Sequence, residues 1–553
     1  MKTVYNLRNM KTQTFSGNIV DVLGQEIYPG TIRVSGGKIT EIIRENKKYK
    51  TFLIPGFVDS HIHVESSMLP PSEFARVATT HGTVAAVADP HEIANVLGMK
   101  GMKYVMDNAK GVPFKFYFSA PSCVPATTFE TSGATLGVAE IEELCKKPEI
   151  KYLGEMMNFP GVICGDPIVM EKIAIAKKYG KLTDGHAPGL RGENLKKYVG
   201  AGISTDHEAF QKDEALEKLS LGMKILIREG SAVKNFEELI PIADEHFENC
   251  MLCSDDKHPD DLARSHINEL VRRAVKKGIA VMKVLRMASV NPVLHYGLSV
   301  GLLRKNDSAD FIEVGDLKKF DVLRTVIGGE TVAKGGKSLL KMKRAKLANN
   351  FRATAKKVSD FSVPSENGNI KIIEALDGSL ITKKVLTAPK IENGNIISDV
   401  KNDILKIVVV NRYANAKPAV AFIKNFGLKR GAIASSVAHD SHNIVAVGVS
   451  DEEICKAVNL IIKNKGGVCA VSQKGKTSEI LPLPIAGLMS DGRYDIVAKK
   501  YIKIDTLAKS FGSRLRAPFM TLSFMALLVI PEIKLSDLGL FDGTKFQFTE
   551  LSE

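Results

Sequence analysis

The sequence holds little cysteine and no long apolar stretch. Its seven cysteines are an odd number, scattered through 553 residues without paired spacing. That argues against a disulfide framework and fits reduced thiols in a cytoplasm. The longest apolar run, Met520 to Ile530, is interrupted by Thr521 and Ser523 and stopped by Pro531. It is too short to span a bilayer, so a buried helix is expected and no membrane partner. The opening MKTVYNLRNMKTQTF has basic residues but no apolar core, so no signal peptide is read. A net charge of +14, from 76 basic and 62 acidic residues, raises nucleic-acid binding. No nucleic-acid motif and no aromatic-interleaved basic stretch accompanies it. Much of the excess lies in KMKRAKLANNFRATAKK (residues 341–357), with seven basic residues and no acidic one. That segment reads as a solvated helical linker.

What is present is ordinary for a globular protein: 44% hydrophobic and 25% charged residues. The length is too great for one core and predicts about two to four domains. Residues 1–54 read as short strands joined by turns such as Ser35-Gly36-Gly37. A similar pattern returns at 309–334. Two such flanks predict one small β domain, a sandwich built from residues 1–54 and 305–358.

Between the flanks, strand-like runs alternate with helix-length segments. Eight runs end near His63, Asp89, Pro121, Met157, His186, His207, Glu229 and Asp255. Eight βα units in about 250 residues predict a (β/α)8 barrel over residues 55–304. Expected helices include Pro71–Thr80, Ala139–Lys146, Pro167–Tyr179 and Gly192–Val199. Residues 359–553 read as a C-terminal α+β domain, so the fold class is α/β with these additions.

The stretch PGFVDSHIHVESS (55–67) carries the first chemical signal. Residues i and i+2 of a strand share a face, so His61 and His63 can aim two imidazoles at one point. Barrel active sites form at the C-terminal ends of strands. Of twelve histidines, His61, His63, His186 and His207 sit at such ends. Glu155 and Asp255 do too, which makes six ligands from five strands, enough for two metal ions sharing a carboxylate. Asp89, His91 and Glu92 follow the second run, and Arg228 ends the seventh. These, with Glu65 two beyond His63, are candidates for holding a substrate. His81, His246, His258, His266 and His295 read as structural. The polar cluster Ser435–Asn443, with His439 and His442, either reaches the barrel's site or is a surface turn.

Together with ADPHEIANVLG, YLGEMMNFPGV, DGHAPGL, STDHEAF and CSDDKHP, this stretch resembles the bacterial and archaeal adenine deaminase family of the amidohydrolase superfamily. VAHDSHNI and LPLPIAGLMSD extend the resemblance over nearly the whole chain. It implies a binuclear site, with His61, His63 and Asp255 on one metal, His186 and His207 on the other, and Glu155 bridging. Asp255 rather than Asp256 follows the family's aspartate after strand eight. The resemblance also implies that a metal-activated hydroxide attacks adenine, giving hypoxanthine and ammonia. Asp255 would shuttle the proton, with Glu65 assisting at the site. Manganese is favoured over iron(II) or zinc, and a cytoplasmic homodimer serving purine salvage is implied. Two alternatives compete. A cyclic-amide hydrolase of the same superfamily typically carries a bridging lysine where this chain has Glu155. A non-catalytic binding protein on this fold would be expected to lack a ligand.

Two resemblances are discarded. His246 to Cys253 lacks the proline of the zinc nucleobase deaminases, and Cys250 and Cys253 read as buried strand residues. Gly475-Lys476-Thr477 resembles the end of a phosphate-binding loop, but Ala470 stands where the first glycine is required.

Overall fold

A computed structural model describes residues 12–472 and 476–553. Most of the stretch read for a signal peptide, and Gly475 of the loop-like tripeptide, lie outside the described residues.

Eight parallel strands run in order from Phe57 to Cys253: Phe57–Ile62, Thr83–Ala88, Lys115–Ala120, Ile150–Met156, Leu182–Gly185, Thr205–Asp206, Lys224–Arg228 and Cys250–Cys253. Their cores are apolar on both faces, as in Thr83–Ala88, where every residue is buried. A parallel strand covered on both sides takes that composition. Five strands pair in one set and three in another. Single bridges join the sets, Thr183 with Ile203 and Ile62 with Asp255. At the second, the Asp255 N–H donates to the His61 carbonyl at 3.0 Å and closes the ring. The result is the expected (β/α)8 barrel.

Helices fall within two residues of the expected spans: Pro71–Ala78, Val138–Cys145, Pro167–Lys178 and Gly192–Gly200. The third starts where Asp166 accepts from the Ile168 and Val169 N–H groups at 2.9 and 3.0 Å and Pro167 takes the first turn.

The flanks form one eight-stranded sheet. Phe52–Pro55 is its seam, parallel to Gln13–Asp21 and antiparallel to Phe311–Val314. A small core of Phe15, Ile19, Ile32, Leu53, Phe311 and Val326 draws on both flanks. A second eight-stranded sheet lies between Ile370 and Pro482, with the helices Asp451–Asn464 and Tyr494–Ser510 in the same C-terminal part.

Two expectations change. Residues 341–357 are irregular, not helical. Like charges without acidic neighbours one turn away disfavour a helix, and the extended backbone finds partners elsewhere. Arg352 N donates to Arg412 O at 2.7 Å, and Lys346 O accepts from Tyr104 at 2.8 Å. The run Met520 to Ile530 is buried but helical only to Phe524, in the helix Pro518–Phe524. Among the described residues no helix is long and apolar enough to cross a membrane.

Candidate metal centre

The barrel's strand ends deliver the histidines and carboxylates to one place. His61 and His63 bring their Nε2 atoms to 3.2 Å of each other. Both face Asp255 Oδ1, at 3.6 and 3.2 Å. Asp255 sits just past the eighth strand with φ +52°, a left-handed conformation that aspartate tolerates better than most residues. Glu155 stands near the end of the fourth strand. Its Oε1 is 3.2 Å from His63 Nε2, and its Oε2 is 2.7 Å from His186 Nδ1 and 3.0 Å from His207 Nε2. One carboxylate thus turns a different oxygen to each histidine pair.

The donor set fits a divalent cation. The ligand atoms of His61, His63 and Glu155, and those of Glu155, His186 and His207, each lie within 4.8 Å of one another. Buried imidazole nitrogens and carboxylate oxygens converging without thiolate suit such an ion. Burial keeps the His61 imidazole below its usual pKa, in the neutral form a ligand needs. Burial pushes Glu155 the other way, but His186 and His207 outweigh it and hold the carboxyl well below its usual range. His61 Nδ1 and His186 Nε2 are buried with no hydrogen-bond partner.

A surrounding set of polar groups orients these side chains. Asp89 Oδ2 accepts from the Glu155 N–H at 2.9 Å and its Oδ1 from Ser119 at 2.7 Å, while its carbonyl lies 2.9 Å from His63 Nδ1. The expectation places Asp89 at the substrate, yet its carboxylate is occupied by the Glu155 N–H and the Ser119 hydroxyl. Arg228 forks onto Glu208 at 2.6 and 2.7 Å and also pairs with Asp255 Oδ2. Burial opposes the Asp255 charge, but Arg228 outweighs it and keeps that carboxyl well below its usual range. Arg228 lines the cleft, with its charge already answered by these two carboxylates.

Glu65 does not join the others. The first strand ends at Ile62 and Val64–Ser67 forms a 3-10 turn, so the two-residue alternation stops before Glu65. Its Oε1 accepts from Ile93 N at 3.2 Å, and burial pushes its carboxyl up to about 7. Asp256, the neighbour in register, accepts from the Ser66 hydroxyl at 2.5 Å, while one of its oxygens stays within 4.8 Å of the ligand atoms of His63 and Asp255.

A narrow cleft opens over the cluster. His63, His91, Glu92, Glu155, His186 and His207 line its polar side. Met157, Val233, Leu380, Phe524 and Leu527 supply apolar walls. His439 and Asp440 complete it from the C-terminal part, so the Ser435–Asn443 cluster is buried against the barrel, not a surface turn. Histidines read as structural are held elsewhere: His266 by Asp59 at 2.8 Å and Thr83 at 2.7 Å, His258 by Tyr501 at 2.6 Å, His81 by the Leu262 carbonyl at 2.9 Å. Cys250 and Cys253 are buried strand residues.

Sequence reasoning missed Glu208, although it follows His207 directly and Arg228 needed a counter-charge. It missed the apolar walls Leu380, Phe524 and Leu527 because nothing local marks them as facing another part of the chain.

A closed barrel with imidazoles and carboxylates converging at its mouth defines a metal-dependent hydrolase of the amidohydrolase class. A family model described as "Amidohydrolase family" matches residues 52–332. A second, "Adenine deaminase C-terminal domain", matches residues 379–547. The adenine deaminase of Sulfurovum sp. (strain NBC37-1) is 59% identical over 534 residues, covering 96% of this chain and 98% of that protein. That of Methanosarcina mazei is 50% identical over 550 residues, covering 97% and 99%. The adenine deaminase of Borreliella burgdorferi is 48% identical over 541 residues, covering 96% and 98%. The chain belongs to the adenine deaminase family.

Proposed function

We propose that this chain hydrolyses adenine to hypoxanthine and ammonia at a two-cation site. The observation that carries the reaction is 59% identity with an adenine deaminase over 96% of the chain. The cyclic-amide and non-catalytic alternatives are not favoured by such matches. The two oxygens of Glu155, each turned to a different histidine pair, support two cations. His61, His63 and Asp255 would hold one and His186 and His207 the other, with Glu155 offering one oxygen to each side. Imidazole and carboxylate donors suit manganese, iron(II) or zinc alike, and manganese is the first choice because the family resemblance favours it. Seven cysteines without a disulfide support a reducing cytoplasm, and turnover of adenine would place the chain in purine salvage. We assign residues 1–54 with 305–358, 55–304 and 359–553 to three units.

When bound, a divalent cation lowers the pKa of water from 15.7 to about 7 and so supplies a nucleophile at neutral pH. The chain's residues do the rest. Asp255 accepts the proton of the attacking water and returns it to the ring nitrogen or the departing amine at C6. Arg228 occupies Asp255 Oδ2, which leaves Oδ1 turned to the His61 and His63 side of the cluster. The apolar walls exclude bulk water and flank the purine plane. Ammonia leaves and hypoxanthine remains, which balances adenine plus water.

The test is ammonia release from adenine by purified protein loaded with Mn²⁺, beside a chelated control. Metal-dependent hypoxanthine formation is expected. A fully loaded protein that releases no ammonia would overturn the substrate and leave the cation site standing.

A further inference from the structure

The family reaction places its metals on the barrel, yet one wall of the cleft comes from the C-terminal part. The loop Ser435–Asn443 is buried throughout and carries two histidines onto one barrel carboxylate, Glu92. His442 Nδ1 accepts from the Ala438 N–H at 3.2 Å, so its proton sits on Nε2 and is donated to Glu92 Oε2. That leaves Glu92 Oε1 for His439 Nδ1, 2.5 Å away. The His439 ring lies against Phe524 with centroids 5.2 Å apart. Both of its neighbours therefore hold one edge and one face of the ring.

The other edge is open. His439 Nε2 is buried and has no hydrogen-bond partner, and it belongs to the lining of the cleft. Besides Glu92, the acids near the ring are Asp256 Oδ1, 3.9 Å from Nε2, and Asp440 Oδ1, 3.8 Å from Nδ1. Neither is within hydrogen-bond reach. Burial lowers the imidazole's pKa, but Glu92, then Asp256, outweigh it and bring it to about 9. A buried donor without a partner at the lining of the cleft, packed on Phe524 and with its back on a carboxylate, is arranged to meet an acceptor on a ligand.

We propose that His439 is a substrate-binding residue supplied by the C-terminal part. Its Nε2–H donates a hydrogen bond to an acceptor nitrogen of the purine ring, and Glu92 is the positioning residue that orients it. This rests on the adenine reading above. Purine ring nitrogens N3 and N7 carry lone pairs and no proton in the plane a donor would approach. As oxygen adds at C6 the ring becomes more electron-rich, and a cationic donor binds that state more tightly than the ground state.

The experiment compares wild type, His439→Ala and His439→Gln, all Mn²⁺-loaded, on adenine, 3-deazaadenine and 7-deazaadenine. Bound metal is measured in each, and hypoxanthine binding is measured by calorimetry. His439→Ala is expected to keep wild-type metal content and lose about 10- to 100-fold in kcat/KM on adenine, the range for a hydrogen bond to a charged group. Wild type should lose a similar factor on the one deaza analogue that lacks the held nitrogen. His439→Ala should treat that analogue and adenine alike, and His439→Gln, which keeps an N–H donor, should recover part of the loss. Discrimination among the three bases unchanged in His439→Ala would overturn the proposal. So would loss of a bound metal equivalent, which would make His439 a ligand. If wild type neither releases ammonia from adenine nor binds hypoxanthine, the adenine reading fails and this proposal with it. If wild type does both and His439→Ala matches it, only this proposal fails.

Discussion

At the scale of single residues, the site separates groups that would touch the reaction from groups that hold them. Asp255 and Asp256 are adjacent in sequence and line the same cleft, but they make different bonds. Asp255 faces both His61 and His63, while Asp256 is bonded to Ser66. We therefore expect Asp255→Asn to lower kcat by about 10²–10⁴-fold, the usual contribution of a positioned acid–base group. Asp256→Asn should keep kcat within a few-fold. Steady-state ammonia assays on both variants check this, and a dead Asp256→Asn beside an active Asp255→Asn would move the assignment by one residue. The sequence shows the pair but not the choice, because the left-handed turn at Asp255 is set by the barrel closure and not by neighbouring residues.

At the scale of elements, much of the barrel was legible. Apolar runs punctuated by helix-length segments gave the strand order, and the ends Ile62, Ala88, Ala120, Met156, Gly185, Asp206, Arg228 and Cys253 fall within two residues of expectation. The period-2 rule placed His61 and His63 correctly and failed at Glu65, where the strand had already ended. Asp89 was legible as a site residue but not as a positioning one. Its role depends on Gly154 in the fourth strand, a contact between distant segments. A Cβ on Gly154 would lie 2.3 Å from Asp89 Oδ2 and 2.8 Å from its Cγ. Gly154→Ala must therefore displace Asp89 from the Glu155 N–H. We expect it to lower metal affinity by about 10- to 100-fold, the range for removing a group that orients a ligand. Asp89→Ala should do the same, and the double variant should cost little more than either, since both break one contact. Metal titrations of the three proteins measure this. Additive losses would mean that Gly154 and Asp89 act separately.

At the scale of the molecule, the C-terminal part meets the barrel through both charge and apolar contact. Lys534, fully buried, donates to the carbonyls of Leu380 at 2.6 Å and Phe524 at 3.1 Å, the two residues whose side chains wall the cleft. Among the described residues no acidic group answers it, and burial pushes its pKa down to about 7. An unfolded lysine titrates near about 10.4. Between these values the unfolded chain binds a proton that the folded chain does not. Stability therefore rises with pH from about 7 to about 10 through this group, with a limiting slope of about 1.4 kcal/mol per pH unit. Below about 7 the ammonium is charged in both states and the contribution is flat, with the cost of burying the charge fully present. Lys534→Met removes the titration and leaves two carbonyls without a donor. Its stability relative to wild type should therefore be constant from pH 5.5 to 6.5 and fall steadily from pH 7 to 9. Comparing the two proteins at each pH cancels every other titrating group, so thermal melts across that range isolate Lys534. A difference that stays level from pH 7 to 9 would mean that the ammonium keeps its proton at the wall of the cleft. The lysine would then be a permanent buried cation beside the purine slot, and the apolar character assigned to that wall would have to be given up.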